Sequence, residues 1–294
     1  MITDTLFFSV IALISGCAVG SFLNVVIYRL PIMMERSWLA EARMALQLPA
    51  EHTSRFNLCV PHSACRTVSI KIRWWQNIPL VSYILLRGRC ASCSASISPR
   101  YFCVELLTGI AFAAVVWRYD VTPVAAGGLI LTAALIALTF IDAETQLLPD
   151  QITLPLLWLG LLFNWYCDFV PLASAVWGAA LGYLSLWSLF WLFKLLTGKD
   201  GMGYGDFKLL AALGAWMGAS ALPLIVFMAA IVGIIASLIL RVARSQPMAF
   251  GPALAIAGWI VWMTNSQINQ LIHWCCVFPG LVHDVLDRSV RWHR

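Results

Sequence analysis

Long apolar runs separated by short polar breaks make up most of this 294-residue chain. The first extends from about Leu6 to Ile27, and a long polar segment, 28–100, follows it. Further apolar runs occupy about 101–117, 122–140, 152–167, 172–196, 208–221, 222–240 and 250–264. A helix that crosses the hydrocarbon core of a bilayer needs about 20 predominantly apolar residues. The pattern therefore predicts an all-α polytopic membrane protein with about eight transmembrane helices and one polar insertion between the first and second. The run 208–221 is short for a full crossing and is expected to be tilted or partly re-entrant. Gly218, Ser220 and Pro223 mark a tight turn between it and the next run. Four parts result: a first helix (1–27), an insertion (28–100), a transmembrane core (101–264) and a tail (265–294). Only Asp4 precedes the first run, with no basic stretch ahead of it, so the run is expected to stay as a helix.

Composition supports the membrane reading. Hydrophobic residues make up 61% of the chain and charged ones 11%, against roughly 25% charged in a soluble domain. So apolar a chain exceeds what one water-facing core can hide, and the bilayer becomes its solvent. The net charge of +5 matters less than its distribution. Fifteen of the nineteen Lys and Arg residues fall in three segments: 28–100, the break around 194–208, and the break holding Arg241 and Arg244. With eight spans these segments share one side, and only Arg118 and tail arginines 288, 291 and 294 lie on the other. The positive-inside rule makes the first side cytoplasmic. The insertion is then cytoplasmic and the N-terminus faces away. Membrane lipids are the expected surroundings, and no nucleic-acid partner is expected.

This topology brings two acidic segments to one face. IDAETQLLPD (141–150) ends the third helix, and GYGDFK (203–208) follows the fifth. Ionisable groups at membrane depth are costly and mark functional sites. Asp150 also reads as an N-cap of the fourth helix, and Asp206 as a cap of the next. Glu144 reads as an interfacial carboxylate, and Glu105 as an acid favouring the dipole at the start of the second helix. Asp142 follows an uninterrupted apolar run and has few local partners. Gly203 and Gly205 flank Asp206 and leave room for an extended substrate backbone. Two adjacent carboxylates cannot both ionise cheaply, so they titrate as a unit. One takes a proton from water while the other protonates a carbonyl oxygen, the chemistry of aspartic proteases. An ion-coupled transporter uses buried acids as a proton relay instead, and a non-catalytic secretion-assembly factor would be indifferent to them.

Six stretches in order resemble the type IV prepilin peptidases, GxGD-class membrane aspartic proteases. They are GSFLNVVIYRLP (20–31), RWWQNIPLVSYILLRGRCASC (73–93), VELLTG (104–109), FIDAETQLLPD (140–150), GMGYGDFKLLAALGAW (201–216) and FGPALAIAGW (250–259). The resemblance implies a bifunctional enzyme of the bacterial inner membrane. Such an enzyme removes the short basic leader of a prepilin or a type II secretion pseudopilin at the cytoplasmic face, after a glycine. It then methylates the new N-terminal amine with S-adenosylmethionine, serving a pilus or secretion apparatus. By motif position Asp142 and Asp206 correspond to the catalytic aspartates, with Gly203, Gly205, Asp150 and Glu144 supporting them. Glu35, Glu105 and Glu144 are acids that a basic leader would meet. Presenilin-like proteases share the GxGD logic but lack a cysteine-bearing insertion of this kind.

The chain departs from the family pattern in the insertion. Many members carry two C-x-x-C pairs there, a pattern that binds zinc tetrahedrally. The second pair is intact as Cys90 and Cys93, whereas the first reads Cys65-Arg66-Thr67-Val68. Cys65, Cys90 and Cys93 are the candidate zinc ligands, with Cys59 or His62 as a displaced fourth. The alternative is an insertion of reduced thiols held by packing of Trp74, Trp75 and Ile78. The tail, with Cys275 and Cys276, lies beyond the last matching stretch and carries no assigned role.

Overall fold

A computed structural model describes residues 2–49, 55–60, 80, 83, 85–86, 88–90, 93–199, 202–240 and 249–264. Cys65, Val68, His62, the packing residues Trp74, Trp75 and Ile78, and the whole tail 265–294 lie outside these. Among the described residues the regular elements are all helices, in keeping with the predicted class. Its helices are α1 (Ile2–Ala45), α2 (Pro99–Tyr119), α3 (Pro123–Thr145), α4 (Asp150–Cys167), α5 (Leu172–Thr197), α6 (Tyr204–Met217), α7 (Leu222–Leu240) and α8 (Gly251–Thr264). Among the described residues, five segments are long and apolar enough to cross a membrane: α1, α2, α3, α5, and α7 with the turn before it. Helices α4, α6 and α8 are not among those five.

The first helix differs most from expectation. It runs on to Ala45, well past Ile27, through Pro31. The change at Tyr28 is in surface chemistry, from lipid-like to charged, and the helical backbone continues through it. Asn24 on α1 donates to the Tyr101 carbonyl in the first turns of α2. Beyond that level α1 projects for about 30 Å at 1.5 Å per residue. The projecting part carries Arg29, Arg36 and Arg43. Arg29 is buried and donates to the carbonyls of Asn57 and Leu58, which docks the following loop on the helix.

Helix α6 forms the centre of the bundle, with every side chain from Leu209 to Met217 buried. At 14 residues it is about 21 Å long, and protein encloses it on all sides. Small residues let its neighbours approach. A Cβ on Gly178 of α5 would lie 2.3 Å from the Gly214 carbonyl oxygen, and one on Gly182 would lie 2.7 Å from that of Leu210. A Cβ on Gly160 of α4 would strike the Trp216 ring at 2.5 Å. The same device joins α1 to α2, where Gly16 and Gly20 meet the backbone of Gly109 and Glu105. Lipid offers no hydrophobic drive for helix association, so close backbone contact of this kind supplies much of the attraction.

The end of α6 away from Asp206 is closed by polar and aromatic contacts. Buried Asn164 donates to the carbonyls of Ala215 and Trp216, and its own oxygen accepts from the Val170 amide. These bonds satisfy carbonyls that a helix C-terminus leaves unpaired. Phe163, Phe169, Trp216, Trp262 and Tyr119 pack as one aromatic cluster around it. Gly218, at φ 80°, makes the sharp exit into a short 3-10 turn, Ala219–Ala221, as the turn residues predict.

Gly178→Ala should force α5 and α6 apart and destabilise the fold by about 1–3 kcal/mol. Thermal unfolding in detergent reads this as a lowered Tm, and an unchanged Tm would contradict backbone contact at this crossing.

Candidate active site

Three helix ends meet opposite the aromatic cluster. Asp142 lies in the last turns of α3, which runs to Thr145 and not to 140 as the apolar pattern implied. The helix continues because Ile141 is buried and still packs inward, while a carboxylate follows it. Asp206 lies in the first turn of α6, which starts at Tyr204 and not at 208. Gly203 is its N-cap residue, so Asp206 is the acid of the first turn and not the cap. The third helix end is the start of α8 at Gly251.

Both carboxylates are buried, Asp142 at 5% and Asp206 at 6% exposure. They are close enough for the charge of Asp142 to act on Asp206. Each faces a backbone amide: Gly251 for Asp142, Gly203 for Asp206. Among the described residues, Oδ2 of Asp142 and Oδ1 of Asp206 accept no hydrogen bond. A buried pair with one unengaged oxygen each has acceptors ready for a polar reactant such as water.

The two glycines beside Asp206 divide in role. A Cβ on Gly203 would meet nothing nearer than Asp206 Oδ2 at 3.9 Å, so this position is open. A Cβ on Gly205 would lie 2.7 Å from the Leu148 Cβ. The space beside Gly205 is thus filled by Leu148 and is not left for a substrate backbone. Leu148 also reaches towards Gly251, whose Cβ would lie 3.2 Å from its Cδ1. It lies between the starts of α6 and α8.

The remaining acids are engaged elsewhere. Asp150 is the first residue of α4 and makes no capping bond; Pro149 holds the N-cap position. A Pro at N-cap already turns the chain, and the Asp150 carboxylate instead accepts from Lys208 Nζ at 2.7 and 2.8 Å, tying α4 to α6. Glu144 pairs with Arg100, tying α3 to the start of α2. Glu105 is buried in the second turn of α2, beyond the first-turn position expected for a dipole contact, and accepts from the Leu80 amide at 2.8 Å. Of the three acids expected to meet a basic leader, only Glu35 is exposed and without such an engagement among the described residues.

The cysteines do not assemble a metal centre among the described residues. Cys90 and Cys93 sit at a small turn closed by a bridge between Arg89 and Ser96 and a bond from the Cys90 amide to the Ala95 carbonyl. Cys59 is exposed on a separate loop. Cys65, the remaining candidate ligand, lies outside the described residues.

Sequence reasoning missed Gly251, Leu148, Arg100 and Lys208 as parts of this site. Phe250-Gly251-Pro252 carries a signal for a helix start, since proline is favoured in the first turn. Nothing local indicates which carboxylate that start faces.

With this geometry in place, comparison with known proteins adds two family matches. The bacterial peptidase A24 N-terminal domain matches residues 14–119, and the type IV leader peptidase family matches 129–238. A prepilin leader peptidase/N-methyltransferase of Neisseria gonorrhoeae is 55% identical over 271 residues, covering 92% of this chain and 95% of its own. Proteins of the same name are 51% identical in Stutzerimonas stutzeri (91% and 94% covered) and 53% in Pseudomonas aeruginosa (90% and 92%). No solved structure matches the chain.

The half-exposed Asp150–Lys208 pair should contribute about 0.2–1 kcal/mol. A double-mutant cycle of Asp150→Ala and Lys208→Ala, read by thermal unfolding in detergent, should return a coupling in that range. Zero coupling would mean that the pair does not help to hold α4 to α6.

Proposed function

The chain belongs to the type IV leader peptidase family, and from that membership we propose that Asp142 and Asp206 are the dyad that performs its proteolysis. The protein is a membrane-embedded prepilin leader peptidase with N-methyltransferase activity. The observation that carries the dyad is the convergence of two buried carboxylates, each with an unengaged oxygen, where three helix ends meet. Among the described residues no other acid at this end is both buried and unengaged: Glu144 and Asp150 are neutralised by Arg100 and Lys208, and Glu105 accepts from the Leu80 amide.

The chemistry follows from the shared proton. One carboxylate removes a proton from water, and the resulting nucleophile attacks the carbonyl carbon of the last leader residue, the glycine. The other, protonated, acid gives its proton to the carbonyl oxygen, and collapse of the tetrahedral intermediate delivers a proton to the departing amine. The substrate is a single-span prepilin or pseudopilin entering sideways from the lipid. Its helix unwinds at the site, because a helical peptide bond is shielded by its own hydrogen bonds. The open face at Gly203 receives that extended segment.

The basic residues support a cytoplasmic site in the bacterial inner membrane. Arg100, Lys194, Lys199 and Lys208 lie at the Asp206 end, as does the projecting part of α1, whereas Arg118 lies at the other. In the second activity, S-adenosylmethionine supplies an electrophilic methyl group to the new N-terminal amine. Zinc enters no step of this reading. The product serves assembly of a type IV pilus or a type II secretion system.

Purified protein incubated with a prepilin, with and without S-adenosylmethionine, should yield products whose masses report loss of the leader and gain of one methyl group. Asp142→Asn and Asp206→Asn should each lower cleavage by on the order of 10⁴-fold while keeping the wild-type Tm and the methylation of pre-cleaved pilin. Substantial cleavage by either variant would sink the assignment.

A further inference from the structure

Asp142 occupies an electrostatically poor position on its own helix. It lies in the last turns of α3, where the Gln146 amide bonds its carbonyl at 2.9 Å and the exposed carbonyls present the negative end of the dipole. Asp206 has the opposite setting, the first turn of α6, where a negative charge is favoured. A dyad built this way leaves one member without support from its own helix.

The support comes from α8. Its first intrahelical bond runs from the Leu254 amide to the Phe250 carbonyl at 3.1 Å, so the amides before Leu254 lack partners within the helix. Pro252 has no N–H to offer, and of the two amides left in this turn, those of Gly251 and Ala253, the Gly251 amide is the outermost. That amide faces the Asp142 carboxyl. Independently, Oδ2 of Asp142, on a side chain only 5% exposed, has no hydrogen-bond partner among the described residues and points at this helix end. A Cβ on residue 251 would lie 2.5 Å from that oxygen, 3.1 Å from Asp142 Cγ and 3.2 Å from Leu148 Cδ1. Leu148 in turn abuts Gly205 on α6, so a displaced carboxylate has no free space on that side.

We propose that Gly251, at the N-terminus of α8, is the positioning residue for Asp142. It lets the helix tip approach the carboxylate closely enough to fix its orientation and to offset the unfavourable end of α3. The inference rests on the dyad reading above. It adds a third helix to a site defined by two aspartates, and it gives the FGPAL stretch a role in proteolysis.

The test compares Gly251→Ala with Gly258→Ala, a glycine further along the same helix whose Cβ would meet only the Leu213 side chain. Cleavage kinetics, Tm, and methylation of pre-cleaved pilin are measured for both, with Asp142→Asn alongside. Gly251→Ala should lower kcat on the order of 100-fold, as expected for a catalytic group displaced by about 1 Å. KM should change less than about threefold and methylation should persist, while Gly258→Ala alters Tm and keeps kcat; such margins separate positioning from packing. A kcat for Gly251→Ala within about threefold of wild type, or equal kcat losses in both variants, would overturn the inference. Inactive Asp142→Asn beside fully active Gly251→Ala overturns this inference alone, whereas active Asp142→Asn overturns the dyad and this inference together. If Gly251→Ala does not accumulate, the double variant Leu148→Ala/Gly251→Ala, which clears the Leu148 side chain from beside the added Cβ, is compared with Leu148→Ala alone. Its kcat should lie on the order of 100-fold below that of Leu148→Ala. A kcat within about threefold of Leu148→Ala would overturn the proposal.

Discussion

Holding Asp142 and Asp206 side by side inside an apolar bundle opposes two strong tendencies. Like charges repel, and burial disfavours any charge at all. The pair persists at this end of the molecule because helix termini converge on it. Asp206 rides the first turn of α6 with the Gly203 amide behind it, and Asp142 meets the first amide of α8. Nearby charges are neutralised in pairs, Arg100 with Glu144 and Lys208 with Asp150, so these acids are matched by cations beside the dyad. The same pairs join α2 to α3 and α4 to α6, so charge balance and mechanical support come from the same contacts.

Placement of the dyad depends on the rigidity of α6, the short helix that carries Asp206. Its side chains beyond the first turn are almost all buried, and glycines on α4 and α5 bring neighbouring backbones or rings into direct contact with it. Asn164 anchors its far end through the carbonyls of Ala215 and Trp216. A helix seated this firmly has little freedom to slide along its axis, so the carboxylate at its tip keeps its place. Helix packing in lipid relies on contact and on hydrogen bonds, and here both are concentrated on the element that carries Asp206.

A bifunctional enzyme of this family presents one chain end to two reactions in sequence. The Asp142–Asp206 pair sits within the helical core, while the long α1 projects about 30 Å beyond the start of α2 at the same end. Its arginines engage the loop that follows, through Arg29 on the Asn57 and Leu58 carbonyls and Arg36 over the Phe56 ring. Buried Glu105 holds Leu80 from the other side of the insertion. The insertion is thus tethered to the α1–α2 pair at both of these points, close to the end where a freshly cut amine would appear.

The apolar runs alone determined that the chain is a helical membrane protein, and the order of acidic and glycine-bearing stretches singled out Asp142 and Asp206 as the candidate pair. Such signals are local: a span needs consecutive apolar residues, and a motif is a string. Helix ends were less legible. The apolar pattern stops at Ile27, near 140 and at 208, whereas the helices run to Ala45, to Thr145 and back to Tyr204. Hydropathy reports what surrounds a residue, and the backbone continues to hydrogen-bond where that surrounding changes. The glycine pairs at 16 and 20 and at 178 and 182 were available as packing signals, but their partners were not. The tertiary structure alone decided that Leu148 fills the space beside Gly205, that Asp150 pairs with Lys208, and that α8 faces Asp142. These contacts join residues tens to more than a hundred positions apart, and only the folded arrangement of helix ends brings them together.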